Sequence, residues 1–278
     1  MKRLSFWKMS GSGNDFIVID NRRNKVAASE GADLARALCP RRFSVGADGL
    51  ILVQNSSRAD FGWRFFNADG SEAAMCGNGG RCAARFAYLK GIASEDMCFE
   101  TAAGLIKAEV HGRRVKLQLP DPYGFREKVS LKVGARTLEA GYMVVGVPHA
   151  VLNVDDIEVV PVQRWGRAVR RHSEFAPEGT NVNFYQLTGS GRAAIRTYER
   201  GVENETLACG TGSVATALVA AAGGKVRGPV RLATRGGEEL TVYYRRRGTV
   251  FSDVYLEGEA DLVFEGKTWE EDPEPRRG

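Results

Sequence analysis

The chain has 278 residues, 43% of them apolar and 26% charged, with a formal net charge of +5; this suits one large or two moderate globular domains. No apolar run reaches membrane-span length, and the basic N-terminus Met1-Lys2-Arg3-Leu4-Ser5-Phe6-Trp7-Lys8 is not followed by an apolar core of signal-peptide length, so a cytoplasmic protein is expected. The basic residues are scattered or in short runs (Arg170-Arg171, Arg245-Arg246-Arg247) with no helical stripe and no nucleic-acid motif, which reads as solvated surface rather than a nucleic-acid footprint.

In chain order, the first polar segment is Gly11-Ser12-Gly13-Asn14-Asp15-Phe16. It lacks the third glycine and the preceding strand of a dinucleotide fingerprint, and is discounted as one. A β-branched run to Asp20 follows. Leu50-Ile51-Leu52-Val53 reads as a buried strand and Phe61-Gly62-Trp63-Arg64-Phe65-Phe66 as an aromatic one. Asn67-Ala68-Asp69-Gly70 is turn chemistry. Then come Met75-Cys76-Gly77-Asn78-Gly79 and an Ala-rich helical stretch that stops at Gly91. The strand Val115-Lys116-Leu117-Gln118-Leu119 runs into Pro120-Asp121-Pro122, which punctuates the chain.

The second half repeats these landmarks. Glu72 and Glu205 each stand four residues before a cysteine, Cys76 or Cys209, that opens a Cys-Gly-x-Gly turn. Each turn leads into an Ala-rich helix ending at glycine, and Thr101 and Thr234 follow at the same offset. Asn14–Asp20 aligns with His149–Asp155 at a slightly larger offset, which makes His149 the expected partner of Asn14. Glu199-Arg200 precedes the second cysteine as Phe66-Asn67 precedes the first, and would otherwise be read as a surface ion pair. Leu240–Tyr244 and Val254–Leu256 are strand candidates. The helix over 212–222 is apolar all round and so expected to be buried inside a sheet. The expected halves are 1–120 and 121–266, with a tail at 267–278 that is either disordered or packed back on the first half.

Five cysteines, an odd number, without a leader segment argue against a disulfide framework, and neither C-x-x-C nor H-E-x-x-H is present to suggest zinc. Cys39, Cys82 and Cys98 read as small buried apolar residues. Cys76 and Cys209 differ, because each sits at a helix N-terminus. Free N–H groups and the positive end of the helix dipole favour a thiolate or a bound carboxylate there. Two related halves with one such thiol each suggest two-base proton transfer. One thiolate removes a proton from a carbon beside a carboxylate, the other thiol returns one to the opposite face, and the helix-end amides stabilise the enolate-like charge.

Taken together, GSGNDF (11–16), GADGL (46–50), FFNADGSEAAMCGNGGRCAARF (65–86), GVPH (146–149), EGTNVNF (178–184) and YERGVENETLACGTG (198–212) resemble the diaminopimelate epimerase family. The resemblance implies an α+β fold of two pseudo-symmetric domains, each a barrel-like, mostly antiparallel sheet around a central helix. It implies interconversion of LL- and meso-2,6-diaminopimelate, toward lysine and peptidoglycan, with no cofactor, no metal, no membrane association and a homodimeric assembly. It makes Cys76 and Cys209 the acid/base pair, with His149 and Glu199 assisting. Asn14, Asn67, Asn181, Glu199 and Arg200 become substrate ligands, and Gly77, Asn78, Gly210 and Thr211 the helix-end donors. Two departures stand out: many relatives have Asn at the position of Val147, and some have Gln at that of Gly49. A proline racemase or hydroxyproline epimerase remains an alternative, although those enzymes more often carry His where Asn78 stands. A non-enzymatic binding protein of the same fold is the third reading.

Overall fold

The computed structural model describes residues 3–268. The chain divides into two compact units, one running up to Val115 and resuming at Glu259, the other comprising Lys116–Gly258.

The first unit opens with β1 (Ser5–Gly11), β2 (Asn14–Asp20), α1 (Gly31–Leu38), β3 (Gly49–Gln54), β4 (Phe61–Asn67) and the short β5 (Glu72–Ala73). It continues through α2 (Gly77–Leu89), β6 (Asp96–Thr101) and β7 (Gly104–His111), and β8 (Arg114–Gln118) contains the boundary. The second unit holds β9 (Tyr123–Val133), β10 (Arg136–Val145), β11 (Val147–Asn153), α3 (Val162–Arg170), β12 (Asn181–Gly189), β13 (Arg192–Glu199) and β14 (Asn204–Thr206). After these come α4 (Gly210–Ala222), β15 (Val230–Ala233), β16 (Glu239–Arg247) and β17 (Val250–Glu259). A last strand, β18 (Asp261–Lys267), pairs antiparallel with β1 and so belongs to the first unit. It takes the place beside β1 that β9 takes beside β10. The division at 120 and 266 therefore differs from the observed units, because the C-terminal strand completes the first one. Of the expected tail, Lys267 ends β18 and Thr268 accepts a hydrogen bond from the Leu4 amide; the remainder lies outside the described residues.

Within each unit most strand pairs are antiparallel, and the parallel exceptions explain the helices. β2 and β3 are parallel, as are β4 and β6; in the second unit the same holds for β11 with β12 and β13 with β15. Parallel neighbours need a crossover, and α1, α2, α3 and α4 lie in these four connections. Among the described residues each unit therefore has two α-helices, where the sequence reading gave one. The first-unit sheet is covered on both faces. Ile17, Ile19, Leu50, Leu52 and Phe66 pack with Ala35 and Leu38 of α1, while Gly79 of α2 lies against Ile51 and Trp63. Burial on both faces accounts for the unbroken apolar runs of β2 and β3. As expected, α4 is almost wholly buried. Gly91 and Gly224, just beyond α2 and α4, take the left-handed backbone that ends both helices.

Strand register corrects the alignment of the halves. Glu72 faces Phe66, which faces Leu50, which faces Ile17. Glu205 faces Tyr198, which faces Val182, which faces Ala150. The counterpart of His149 is thus Phe16, and that of Asn14 is Val147. The pairing of Asn14 with His149 is wrong by two residues. By the same ladder Asn67 corresponds to Glu199, each the last residue of its strand.

Candidate functional site

The residues singled out from sequence fall into two groups, one per unit, and within each unit the same end of the sheet carries them. In the first unit Asn14 starts β2 and Asn67 ends β4. Ser12 and Gly13 both have positive φ, so GSGN forms a tight hairpin between β1 and β2, not a phosphate loop. Cys76 caps α2 in extended conformation, and its Sγ accepts from the Gly79 amide at 3.4 Å. Gly77 borders open space, whereas a Cβ at Gly79 would touch Ile51, Trp63 and the Cys76 side chain.

A chain of polar side chains ties this helix end to the hairpin. Asn78 Nδ2 donates to Asn14 Oδ1 at 2.7 Å, and Asn14 Nδ2 donates to Asp48 Oδ2 at 2.8 Å. Asn78 Oδ1 in turn accepts from the buried Arg81 at 3.0 Å, and Arg81 also holds the Ser12 hydroxyl. Behind Asn14, Arg41 bridges Asp15 and Asp48, and Lys8 pairs with Asp15 at 2.7 Å. Burial would raise the Asp15 carboxyl, but hydrogen bonds from Arg41 and Lys8 outweigh it and bring it down to about 2. Asn67 is held by Ser71, to whose hydroxyl its Nδ2 donates at 3.0 Å.

In the second unit Cys209 caps α4, also extended, with its Sγ 3.7 Å from the Thr211 hydroxyl. Gly212 follows at the position of Gly79, and a Cβ there would stand 2.3 Å from Asn183 Oδ1 and 3.2 Å from Cys209 Sγ. Only glycine fits. Asn181 lies opposite His149 across the parallel β11–β12 pair. Its Oδ1 accepts from the Arg200 amide at 2.8 Å and its Nδ2 donates to the Pro148 carbonyl at 3.2 Å. Arg200 itself donates to the Glu178 carbonyl at 3.3 Å, so Glu199-Arg200 is not a surface ion pair. Burial raises the Glu199 carboxyl above the usual range, against the opposing pull of the Thr206 hydroxyl. His149 is completely buried and its pKa is pushed down to about 3, chiefly by burial and further by the Arg200 charge.

The sequence reading missed Asn183, Arg81 and Asp48. Asn183 could have been found, because in Asn181-Val182-Asn183 the two-residue period of a strand puts both amides on one face. Among the other cysteines, Cys39 and Cys82 are buried, with thiols pushed up to about 11 and about 12 mainly by burial; Cys98 is half-buried and its thiol is also raised. No disulfide joins any of the five. Among the described residues no cluster of His, Cys, Asp and Glu could hold a metal ion, and no helix is long and apolar enough to cross a membrane. A cavity of about 890 Å³ in the first unit, bordered by Trp7, Asp20, Arg22, Lys90 and Glu265, contains none of the site residues.

Comparison with known proteins follows the same lines. The profile of the diaminopimelate epimerase family matches residues 6–120 and 141–263. A diaminopimelate epimerase of Aquifex aeolicus is 48% identical over 96% of this chain and 99% of its own length. One from Archaeoglobus fulgidus is 42% identical over 95% and 96%. Among solved structures, a phenazine biosynthesis protein of the PhzF family from Bacillus anthracis superposes with a TM-score of 0.75 at 17% identity, over 97% of this chain and 100% of that one. A hydroxyproline epimerase from Agrobacterium vitis gives a TM-score of 0.65 at 17% identity, over 98% and 94%. These likenesses show the shared α+β fold. With the profile spanning most of both units and such identities along nearly the whole sequence, the chain belongs to the diaminopimelate epimerase family.

Proposed function

We propose that this protein epimerises LL-2,6-diaminopimelate to the meso form with Cys76 and Cys209 as the two acid/base groups. The observation that carries the two-thiol reading is the matched pair of cysteines, each the N-cap of a largely buried helix, in a chain of this family. A helix N-terminus favours a thiolate and offers unpaired amides to a carboxylate. One thiolate takes the α-hydrogen as a proton. The electron pair left on the carbon delocalises into the adjacent carboxylate, and the other thiol protonates the opposite face. Amides at Gly77, Asn78, Gly210 and Thr211 hold that carboxylate and stabilise its developing charge. Asn14, Asn67, Asn181, Glu199 and Arg200 grip the distal amino-carboxylate, with Arg200 offering a two-pronged contact. His149 and Glu199 assist the thiols.

The reading includes a cytoplasmic location, a place before lysine and peptidoglycan synthesis, no cofactor and a homodimer, all supported by the family likeness; light scattering of the purified protein tests the last. The central test is exchange of the α-hydrogen with solvent deuterium, with LL-diaminopimelate as substrate and proline as the competing one. Wild type should exchange diaminopimelate and leave proline untouched, while Cys76→Ala and Cys209→Ala should each stop epimerisation without loss of fold. Near-normal turnover by either variant would end the two-thiol reading.

A further inference from the structure

The surroundings of His149 determine which of its nitrogens carries the proton. Asn183 Nδ2 lies 3.2 Å from His149 Nδ1. The Asn183 amide is fixed from two sides: its Oδ1 accepts from the Thr197 hydroxyl at 3.0 Å, and its Nδ2 donates to the Ala150 carbonyl at 3.2 Å. A carbonyl cannot donate, so the amide cannot be turned over. The group facing Nδ1 is therefore an N–H, and Nδ1 must be the lone-pair nitrogen. In the neutral ring the proton then sits on Nε2. That nitrogen is buried and has no hydrogen-bond partner among the described residues. A buried N–H without an acceptor is rare, and where one persists a catalytic role, a water or an ion accounts for it.

The positions flanking the ring carry no charge of their own. Met143 faces His149 across β10, Asn181 across β12, and Asn183 stands beside Gly212 at the first turn of α4. The charge that bears on the ring is that of Arg200, which opposes protonation.

We propose that Asn183 is a positioning residue that locks His149 as the neutral Nε2–H tautomer, so that the ring serves as a fixed hydrogen-bond donor and does not titrate. Resting on the epimerase reading above, this donor's acceptor is the negative charge of the reaction, carried by the thiolate or by the substrate carboxylate during proton removal. His149 then holds an anion in place, and both protons move through sulfur.

The test is nitrogen NMR of the full chain labelled with ¹⁵N-histidine. Three histidines are present, and His149→Gln assigns the resonance. Expected are a protonated Nε2, a bare Nδ1 and no titration between about pH 5.5 and 8.5, the range in which an ordinary histidine changes charge. A proton on Nδ1, or a midpoint inside that range, overturns the proposal, and the wild-type spectrum suffices for this even if every variant fails to fold. Asn183→Asp puts an acceptor against Nδ1, so the proton should move to that nitrogen or the ring should become charged. Its kcat should fall at least about tenfold with a smaller change in KM. In a parallel pair, His149→Gln, which keeps an N–H donor, should retain more activity than His149→Phe. Equal losses would count against a donor role. If the wild type fails to exchange diaminopimelate, the epimerase reading fails while the tautomer result still stands.

Discussion

Arg64 grips Glu72 with two hydrogen bonds, Nε to Oε1 and Nη2 to Oε2, both 2.7 Å. Arg196 grips Glu205 in the same way, at 2.7 and 2.8 Å. These are the glutamates that precede the two cysteines by four residues. Each clamp ties the short strand before a cysteine turn to the long strand beside it, β5 to β4 and β14 to β13. The second clamp is less exposed, with side chains at 13% and 22% against 25% and 42% for the first; each arginine also reaches a carbonyl, Arg196 that of Ile157 at 3.0 Å and Arg64 that of Ala28 at 2.6 Å. Solvent screens the first pair more. Arg196→Met should therefore cost on the order of 1–3 kcal/mol, and Arg64→Met less. Urea midpoints of the two variants decide this, and a larger loss for Arg64→Met would contradict the account.

The clamps show what the sequence could and could not disclose. Glu72 and Glu205 were visible as a matched pair because each lies at a fixed distance from a Cys-Gly turn. Their partners were not, since an arginine on a neighbouring strand has no fixed sequence distance. The cysteine turns and α4 were legible because glycine and uniform small apolar residues are strong local signals. α1 and α3 were overlooked although Val162, Trp165, Gly166 and Val169 follow helical spacing. The pairing of Asn14 with His149 fails because it departs from the offset of 133 that the cysteine turns share; at that common offset His149 falls opposite Phe16, as the ladder register shows. Val147, noted as a departure, proves to be the counterpart of Asn14. The room for a side chain at Gly49 is taken by the Phe65 ring, which lies 2.5 Å from where a Cβ would be. Such a contact between neighbouring strands leaves no trace in either local sequence.

Asp15 supplies a pH dependence. Its carboxyl is depressed to about 2 in the folded protein, below the unfolded value of about 3.9. A depressed carboxylate contributes stability that is present above the unfolded pKa and is lost as pH falls through the folded one. The contribution at neutral pH should be on the order of 1–2 kcal/mol, reduced from the full linkage value because Arg41 is largely exposed to solvent. Asp15→Asn should destabilise at pH 7, and its deficit should shrink steadily between about pH 4 and pH 2. A deficit that stays constant over that interval would mean that the Lys8–Asp15–Arg41 cluster is not the source.

The glycines of the two turns make opposite predictions. A Cβ at Gly212 would lie 2.3 Å from Asn183 Oδ1, and one at Gly77 would meet nothing within 4 Å. Gly212→Ala must push Asn183 aside, with a loss of about 1–3 kcal/mol in stability, as overpacking usually costs. Gly77→Ala should leave the melting temperature unchanged. If the substrate carboxylate approaches the Gly77 amide, the added methyl should nevertheless lower kcat/KM. Full activity in a stable Gly77→Ala protein would remove that amide from the proposed site.

Arg200 and the arginine run at 245–247 test the distal grip, and the choice of control matters. Arg246 is exposed, as its sequence context suggests, but its guanidinium is engaged with backbone carbonyls. It donates to the Ala221 carbonyl, and to that of Ala222 at 3.1 Å, so it caps the C-terminal end of α4. Arg247 is exposed and is the proper comparison. A guanidinium can meet a carboxylate with two parallel hydrogen bonds, whereas lysine offers a single point charge. Arg200→Lys should therefore cost on the order of 2–5 kcal/mol in kcat/KM for diaminopimelate, the usual penalty when a buried charge partner is left poorly paired. Arg247→Lys should change kcat/KM by less than about 0.5 kcal/mol, as surface substitutions do. Thermal melts must show both variants folded, because the Arg200 amide also holds Asn181 through a backbone hydrogen bond that a side-chain change leaves intact. Equal and small effects on kcat/KM would mean that Arg200 does not hold the distal carboxylate, and the assignment of the substrate-gripping residues would fall while the cysteine pair remained to be judged by its own variants.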